Sequence, residues 1–429
     1  MADFIRRRAV LAGTGATLLL GMLEGCRAPA ARPTGRVASR LELPPLHADV
    51  GRISSITVCT RPFRPQGPRL DVERIGDKTV VHNYGHGGSG WSLSWGSSAI
   101  ATENVLATGV RDVGVIGCGA LGLTSALLLQ RAGRRVTIYA KDLPPNVRSA
   151  LATGVWSPDS RICLEQNATP AFKRQWEAMA RRSWQTYQTF LGLPGDPVEW
   201  IEHYSVRDAE TTVAAAADTA RNPDSLRNAE TPPVADTRPA FAELEGDLLA
   251  DLEPTGTDFP PGSHPFGARS VRARPWMMFN LNAYMRLLMS DFLAGGGKIQ
   301  VTEFHTPADL GSLPEKTLVN ATGYGARALF GDETLVPVRG QLARTIPQPD
   351  IHYGLAYKDV NFVPRRDGNI FQVFGADDYY GFGDDSTVPD PAEARHAVST
   401  IASLFAREAD RDRSAISRTA MRRSVIRWA

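Results

Sequence analysis

Residues 113–141 decide the fold of this chain, and they read VGVIGCGALGLTSALLLQRAGRRVTIYAK. Residues 113–117 form a short run rich in β-branched side chains, which favours a strand, and GRRVTIYA at 133–140 favours a second one. Between them, apolar residues from 121 to 132 recur at helical spacing. The pattern predicts a βαβ unit and indicates an α/β fold built on a Rossmann-like sheet.

The three glycines of GCGALG each have a separate task in such a unit. Gly117 permits the tight turn after the strand, Gly119 lets the backbone approach a pyrophosphate, and Gly122 lets helix and strand pack closely. The helix N-terminus then offers free N–H groups and a partial positive charge to phosphates. At the end of the second strand, we expect Asp142 to reach a ribose or Lys141 to meet a phosphate. A glycine-rich turn without a ligand is the alternative to this nucleotide site.

Composition excludes several classes of function. The chain has 429 residues, a length that suits two interleaved domains. Its apolar content of 42% and charged content of 22% are typical of a soluble globular enzyme, and a formal net charge of +2 gives no general attraction to nucleic acid or to an anionic membrane. The sequence has no pattern of paired carboxylates, no Ser/His/Asp set and no cysteine spacing of the zinc-knuckle type. We therefore predict no metal site.

The N-terminus is predicted to be a targeting segment and not part of the fold. Residues 1–26 read MADFIRRRAVLAGTGATLLLGMLEGC, with three arginines before a short apolar stretch. This pattern resembles a twin-arginine export signal, and MLEGC resembles a lipoprotein processing site that would place a lipid on Cys26. A signal cut elsewhere is the alternative. We expect residues 27–50 to be a linker, and we expect the protein to be periplasmic or otherwise extracytoplasmic, with the lipid as its only membrane contact.

Further elements follow the βαβ unit. Helical spacing predicts helices over 174–191, 282–293 and 392–409, and KTLVNATG predicts a strand that runs into a Thr-Gly turn. FVPRRDGNIFQVFG predicts a β-hairpin around Asp367 and Gly368. Residues 207–262 are rich in Ala, Asp and Pro and have poor periodicity, so we expect a loose insertion there.

A glycine-rich aromatic segment precedes the βαβ unit, where a domain of this type usually begins. Residues 80–96 read VVHNYGHGGSGWSLSWG. Together with RPFRPQGPRLDVE (61–73), YAKDLPPNVRSALATGVWSP (139–158) and VNATGYGARALFGDETLVPVRGQL (319–342), this segment resembles the D-amino-acid oxidase family. The resemblance implies FAD as cofactor and a Rossmann-like FAD-binding domain with an interleaved β-rich (α+β) substrate domain.

The order of these blocks differs from the family's order. In the family, the Arg-Pro and HNYGHGG blocks come last, whereas here they come first, so the chain reads as a circular permutation. A helix at about 91–108 would then lead directly into the strand at residue 113, which is feasible because domain termini often lie close together. The resemblance implies an FAD-binding domain over 51–165, 266–345 and 401–429, and a substrate domain over 166–265 and 346–400.

The resemblance also implies a set of substrate-binding residues. Arg61 is expected to bind the substrate carboxylate through two parallel hydrogen bonds, with Arg422 as its rival. The carbonyl of Gly88 is expected to face the substrate amine, and Tyr357 falls where the family has an active-site tyrosine. Asn361 stands where the family has a second tyrosine, and its amide can still donate a hydrogen bond. Two tyrosines of the next loop, Tyr379 and Tyr380, are candidate substitutes.

The cofactor is expected to contact further residues around the glycine motif. Backbone N–H groups of the glycine loop would approach the flavin, and the dipole of the helix that follows would stabilise negative charge on it. These expected cofactor contacts are Gly87, Gly90, Trp91, Ser92, Ser149, Gly154 and Thr322. We interpret His82 and His86 as residues that hold the loop in shape and not as bases.

The function implied by the resemblance is oxidation of a D-amino acid by FAD, with O₂ as second substrate. The products would be a 2-oxo acid, ammonia and hydrogen peroxide. Two alternatives remain open at the level of sequence. One is a related flavin oxidase for glycine or another amine, or a dehydrogenase that passes electrons to a carrier. The other is a tethered flavoprotein or ligand-binding protein without turnover.

Overall fold

Two β-sheets organise the computed structural model, which describes residues 40–208, 238–252, 254–267 and 269–405. The strands are β1 (Ile53–Phe63), β2 (Val72–Ile75), β3 (Lys78–His82), β4 (Asp112–Ile116), β5 (Arg135–Ala140), β6 (Val198–Arg207), β7 (Thr257–Phe259), β8 (Ser270–Phe279), β9 (Lys298–Val301), β10 (Thr317–Asn320), β11 (Val336–Thr345), β12 (Tyr353–Tyr357), β13 (Val360–Arg365) and β14 (Gly368–Val373). The helices are α1 (Ser94–Leu106), α2 (Ala120–Arg131), α3 (Pro170–Gln188), α4 (Glu245–Leu248), α5 (Leu281–Ala294), α6 (Ala326–Leu329) and α7 (Pro391–Ala402).

The smaller sheet confirms the predicted Rossmann-like unit. Its order is β2-β3-β10-β4-β5-β9, and all neighbours except the edge pair β2-β3 run parallel. Strand β10 lies between β3 and β4 and pairs with both over its full length. Helices α1 and α2 pack against each other, and α5 packs on α2. Parallel strands of this kind have both faces covered, which explains why β4 and β10 are almost fully buried.

The strand order reverses at the boundary between β4 and β10. From β4 the chain crosses to β5 on one side, whereas β10 and β3 lie on the other side. The carboxyl ends of β4 and β10 are joined there by the Ala321 N–H, which donates to the carbonyl of Ile116 at 2.9 Å. Open α/β sheets bind their ligands in the crevice at such a switch point.

The larger sheet has eight strands in the order β1-β11-β14-β13-β12-β6-β8-β7, and its pairs are antiparallel except for β12 and β6. Helix α7 covers one face, where Leu355, Val360, Phe362 and Ile401 share a hydrophobic cluster. Because side chains alternate across a strand, the neighbouring positions turn to the opposite face. That opposite face lines the cavity described below.

The sheets divide the chain differently from the predicted domain ranges. Strands β1, β8 and β11 fall in the ranges predicted for the FAD-binding domain, yet all three belong to the larger sheet. Strand β1 pairs with β11 from Ile53↔Thr345 to Phe63↔Val336, a long-range pairing that a local pattern does not reveal. Helix α3 was placed in the substrate range by the prediction, but it packs on α1.

Most predicted elements occur close to their predicted bounds. The hairpin β13-β14 turns at residues 366–367, and α5 nearly matches the prediction of 282–293. Helix α3 begins earlier than predicted, because the Thr169 hydroxyl caps it at the N–H of Phe172 with Pro170 in the first turn. Within 207–262, the described residues contain α4 and β7.

Some sequence predictions fall outside the described residues. They concern the export signal with Cys26, part of the linker, the end of the final helix and Arg422. In the described part of the chain, we found no helix long and apolar enough to cross a membrane.

Candidate active site

A cavity of about 1090 Å³ opens at the switch point and reaches the larger sheet. At one side it is lined by the turn after β4, the end of β5 and the turn after β10. At the other side it is lined by Arg61 of β1, Trp276 of β8 and Asn361 of β13. Most of the residues predicted from the sequence therefore meet around one cavity.

The glycine motif forms a cradle that a larger residue would fill. A Cβ on Gly122 would lie 2.0 Å from the carbonyl oxygen of Gly117, and a Cβ on Gly119 would lie 2.7 Å from the hydroxyl of Ser149. Gly117 has φ of +108°, which favours glycine, and a Cβ there would lie 2.5 Å from the carbonyl oxygen of Ala321. Gly119 caps α2 without a side-chain hydrogen bond. The backbone of this turn therefore fits the pyrophosphate of a dinucleotide.

Ser149 connects the cradle to the glycine-rich loop. Its hydroxyl accepts a hydrogen bond from the N–H of Ala120 at 3.0 Å, and its carbonyl accepts one from the indole of Trp91 at 2.9 Å. Ser149 and Trp91 both line the cavity, as predicted. Each makes a contact within the protein that holds the two loops together.

Four other predicted cofactor residues also line the cavity. Lys141 and Asp142 are exposed at the end of β5, where the Lys141 ammonium lies 3.4 Å from the Glu303 carboxylate. The hydroxyl of Thr322 donates to the side-chain oxygen of Asn320 at 2.7 Å. Gly154 has φ of +85°, and a Cβ there would lie 2.6 Å from the carbonyl oxygen of Phe279. Lys141, Asp142 and Thr322 follow strands of the smaller sheet, whereas Gly154 lies against β8 of the larger sheet, where its carbonyl accepts a hydrogen bond from the N–H of Phe279 at 2.8 Å.

The glycine-rich loop corrects one expectation. The N–H of Gly87 donates to the carbonyl of Pro62, and the N–H of Gly88 donates to the carbonyl of Ser160, both at 2.9 Å. These groups are therefore used within the protein and do not point at a flavin. A Cβ on Gly87 would lie 2.0 Å from the carbonyl oxygen of Arg161, so the glycines are required by the segment that packs on them. Gly90 has open space beside it and lines the cavity.

Ser92 also has a different role from the one predicted. It is buried and does not line the cavity, and its hydroxyl accepts a hydrogen bond from the N–H of Ser157 at 2.8 Å. The hydroxyl of Ser89 donates to the carbonyl of Ser160 at 3.1 Å. Residues 157–161 are thus fastened to the glycine-rich loop at several points.

Two histidines hold this loop in shape, in agreement with the interpretation from sequence. His86 is fully buried with its Nε2 2.8 Å from the hydroxyl of Ser97, and burial lowers its pKa to about 3. His82 lies between Glu73 and Asn320, and burial together with the charge of Arg69 lowers its pKa. Neither imidazole is protonated at neutral pH.

Arg61 enters the cavity from β1 beside a glycine that makes room for it. Its Nη1 donates to the carbonyl of Arg339 at 3.0 Å. A Cβ on Gly340 would lie 2.7 Å from Nη2 of Arg61, so the guanidinium lies flat against the backbone of β11. One edge of the fork is thereby oriented, which suits recognition of a planar carboxylate.

Asn361 faces the cavity and is held by a histidine that the sequence did not indicate. Its Oδ1 lies 3.1 Å from Nε2 of His203, a fully buried imidazole whose pKa burial lowers to about 3. Nδ1 of His203 has no hydrogen-bond partner among the described residues. A proton on Nε2 leaves Nδ1 as an unpartnered acceptor, which occurs more readily than an orphaned N–H. This arrangement leaves the amide N–H groups of Asn361 to donate.

Tyr357 does not belong to this site. It pairs with Val360 across β12 and β13, so it lies on the face covered by α7, whereas Asn361 pairs with Ala356 and Gln372 on the cavity face. Its hydroxyl contacts Arg269 and Asp208, each at about 3.1 Å. Successive residues of a strand point to opposite faces of the sheet, so a difference of one residue in the pairing decides which face a side chain occupies.

The two substitute tyrosines are also absent from the cavity lining among the described residues. The hydroxyl of Tyr379 donates to the carbonyl of Pro239, and Tyr380 contacts Glu393, with burial raising its pKa to about 12. Neither side chain is available to bind a substrate in this arrangement.

Sequence reasoning also missed residues that do line the cavity. They include Arg161, Arg274 and Gln372. Gln372 pairs with Asn361 in register, and its side-chain oxygen accepts a hydrogen bond from Thr153. Gln372 and Asn361 lie on the same face of the predicted hairpin, and this was the one indication of Gln372 that the sequence offered.

Several known proteins resemble this chain. The family model for FAD dependent oxidoreductases (DAO) matches residues 112–425. The D-amino-acid oxidase of Streptomyces coelicolor is 27% identical over 303 residues, which cover 68% of this chain and 77% of that protein. The D-aspartate oxidase of Talaromyces thermophilus is 55% identical over 49 residues, which cover 11% and 13% of the two chains. The structure of iminodiacetate oxidase from Chelativorans sp. BNC1 is 14% identical with a TM-score of 0.45, covering 68% of this chain and 79% of that one.

Proposed function

The chain belongs to the family of FAD dependent oxidoreductases, and from this premise we propose that it catalyses the oxidative deamination of D-amino acids. FAD is its cofactor, and the glycine cradle of α2 would hold the pyrophosphate. When bound, FAD would supply the two-electron oxidant for the amino acid, and its reoxidation by O₂ would give hydrogen peroxide. The resulting imino acid is hydrolysed to a 2-oxo acid and ammonia.

The observation that carries this proposal is the position of Arg61 in the same cavity as the cradle. Its guanidinium is oriented by the carbonyl of Arg339 and by the backbone at Gly340. A carboxylate bound there accepts two charge-assisted hydrogen bonds, which fixes the amino acid relative to the cofactor. Asn361 adds a neutral donor, since its oxygen is already directed at His203.

The low pKa of His86 makes its imidazole a weak base, which supports oxidation by hydride transfer from the free amine. Burial keeps His86 without a proton at neutral pH, and its Nε2 is committed to Ser97. No residue is then required to remove a proton from Cα, since the carboxylate contact orients the substrate and the Cα hydrogen leaves with its electron pair. The enzyme's contribution in this proposal is orientation and exclusion of water.

We also propose that the chain is a circular permutation of the family's usual order. The family model begins its match at residue 112, so the Arg-Pro and HNYGHGG blocks lie outside that match. Strand β3, which leads into the HNYGHGG block, nevertheless pairs with β10 in the smaller sheet, and the 13-residue helix α1 connects the block to β4. The short connection supports a shift of this segment from the end of the chain to its beginning.

The proposed location is outside the cytoplasm. Three arginines before a short apolar stretch support export by the twin-arginine route, and MLEGC supports lipid attachment at Cys26.

The test of function is anaerobic reduction of the purified holoenzyme by a panel of neutral D-amino acids, their L-enantiomers and glycine. We expect the absorbance of the oxidised flavin to fall with D-amino acids, and we expect peroxide to form when air is admitted. Bleaching by glycine alone would favour a glycine oxidase, and bleaching without peroxide a dehydrogenase. A flavin that no amine reduces would overturn the proposal in favour of a protein without turnover.

A further inference from the structure

We propose that Arg161 forms a second carboxylate-binding position in the cavity, so that the preferred substrates are acidic D-amino acids. This inference rests on the proposed function. It assigns the α-carboxylate to Arg61 and the side-chain carboxylate to Arg161, both of which line the cavity.

The backbone of Arg161 is held in an unusual conformation. Its φ is +50°, in the left-handed region, one of three such non-glycine residues in the described part of the chain. A residue stays in this region only where its surroundings impose it, and such residues cluster at binding sites. Here the surroundings are the glycine-rich loop, since a Cβ on Gly87 would lie 2.0 Å from the carbonyl oxygen of Arg161. The loop therefore sets the direction in which the Arg161 side chain leaves the backbone.

The side chain of Arg161 is buried but poorly paired. Its Nε donates to the carbonyl of Asp378 at 2.6 Å, while Nη2 lies 3.8 Å from the carboxylate of the same residue. Only 10% of the Arg161 side chain is exposed, whereas 49% of the Asp378 side chain is exposed, so solvent weakens that ion pair. The neighbouring carboxylate of Asp377 is bound to Arg238 at 2.6 Å. Among the described residues, this long contact is the one ion pair of the Arg161 terminal nitrogens, and the carboxylates of Asp378 and Asp377 otherwise act on the guanidinium only through their charge.

Other buried arginines of this protein have close carboxylates with little exposure. Arg64 lies 3.0 Å from Asp332, whose side chain is 7% exposed, and Arg339 lies 2.9 Å from Glu393, whose side chain is 10% exposed. Arg365, fully buried, pairs with Asp367. These three guanidinium groups are neutralised locally, and Arg161 differs from them.

Arg61 places a like charge in the same cavity. Burial lowers the pKa of Arg161 to about 10, and the charge of Arg61 is the next cause of that decrease. Two guanidinium groups that repel each other across one cavity favour a ligand with two negative charges. A dicarboxylic amino acid provides one carboxylate for each arginine and would relieve the repulsion. A neutral D-amino acid would leave the charge of Arg161 without a close partner.

The experiment compares acidic substrates with their neutral isosteres, D-aspartate with D-asparagine and D-glutamate with D-glutamine. For one of the two pairs, we expect the wild-type enzyme to have a kcat/KM at least about tenfold higher for the acid than for its amide. Arg161→Gln should lose about tenfold to a hundredfold on that acid and change little on its amide, and Arg161→Lys should retain part of the preference. Arg272→Gln is the matched control, because Arg272 pairs with Asp258, neither residue lines the cavity, and the variant should keep the preference.

A binding measurement separates recognition from turnover. Succinate and propionate are titrated into the holoenzyme, and the change in the flavin spectrum is recorded. We expect Arg161→Gln to weaken the binding of succinate at least about tenfold and to leave the binding of propionate nearly unchanged. The inference would be overturned if Arg161→Gln lowered kcat/KM equally for acid and amide, or if the wild-type enzyme did not prefer either acid. In both cases the proposed function would stand as long as neutral D-amino acids still reduce the flavin. If no D-amino acid reduces the flavin, the proposed function itself has failed.

Discussion

Nε2 of His203 lies 3.1 Å from Oδ1 of Asn361, although strand β12 separates the two strands that carry these residues. The contact is possible because Gly354 of β12 lies between them: a Cβ there would come within 2.7 Å of Cδ2 of His203. A glycine in the middle of a strand has no side chain to pack, and here the space is filled by the imidazole. Three strands therefore cooperate to direct one amide into the cavity.

We expect Gly354→Ala to lower kcat/KM through Asn361. The added methyl group displaces the imidazole and removes the hydrogen bond that orients the amide, so the loss should be about threefold to tenfold, as for a neutral hydrogen bond. Asn361→Ala should cause a similar loss. In the double variant the two losses should not add, because both remove the same contact. If steady-state kinetics show that the losses of the two single variants add fully in the double variant, Gly354 acts through general packing.

Replacing Arg61 and Arg64 one at a time should separate an effect on substrate binding from an effect on the stability of the fold. Arg61→Ala should keep FAD bound and lower kcat/KM at least about tenfold to a hundredfold, because a charge-assisted bidentate contact is lost, and Arg61→Lys should restore only part. Arg64→Ala should instead lower the melting temperature, since Arg64 pairs with Asp332 outside the cavity lining.

Two further variants complete that series. Tyr357→Phe should change kcat/KM by less than about twofold, because its hydroxyl contacts Asp208 and Arg269 away from the cavity. Arg422→Ala should also have little effect. A larger loss for Arg422→Ala than for Arg61→Ala would mean that the C-terminal segment provides the carboxylate site.

Gly122→Ala should abolish flavin binding. Alanine normally stabilises a helix by about 1 kcal/mol relative to glycine, but here its methyl group would lie 2.0 Å from the carbonyl oxygen of Gly117. Helix α2 and the turn must then separate, which opens the cradle. Gly311→Ala is the matched control, because a Cβ there meets nothing within 4 Å. The ratio of flavin absorbance to protein absorbance after purification measures the effect, and a fully yellow Gly122→Ala protein would contradict it.

Mild acid should destabilise the fold through its buried histidines. Burial lowers the pKa of His86 and of His203 from 6.5 to about 3 in the folded chain. Between these values the unfolded chain binds the proton and the folded chain does not, so the free energy of unfolding decreases as the pH falls. Each histidine contributes about 1.4 kcal/mol per pH unit in that window, with no contribution above about pH 6.5.

Urea denaturation of the holoenzyme at pH 7, 6 and 5 tests this sign. The midpoint should decrease with acidity, and His203→Gln should make the decrease shallower because one of the titrating groups is gone. Constant midpoints in wild type would show that these imidazoles are not neutral in the folded state.

Export should depend on the N-terminal arginines. Replacement of Arg6, Arg7 and Arg8 by Lys should leave the protein in the cytoplasm, as measured by cell fractionation. Labelled fatty acid should enter wild type and not Cys26→Ser. Unchanged export of the lysine variant would refute the twin-arginine interpretation.

Local patterns in the sequence predicted the elements that carry the cofactor. The turn at Gly117, Gly119 and Gly122 and the hairpin at Gly368 are each specified by residues close together in the chain. Long-range geometry was not accessible in this way. The burial of Tyr357 under α7 depends on strand parity in β12, and the contact of His203 with Asn361 depends on a third strand. Arg161 gave no signal because its significance lies in a backbone angle and in a long ion pair with a half-exposed carboxylate.

The central position of β10 has a consequence for the order in which the protein can assemble. Strands β3 and β4 are made early during translation, yet they do not touch, and the strand that must lie between them is residues 317–320. Until that late segment leaves the ribosome, the two halves of the nucleotide crevice have no common neighbour, and the nascent chain exposes two unpaired strand edges. A fragment that ends before Thr317 should therefore aggregate and fail to retain flavin, even though it contains the complete GCGALG and HNYGHGG segments.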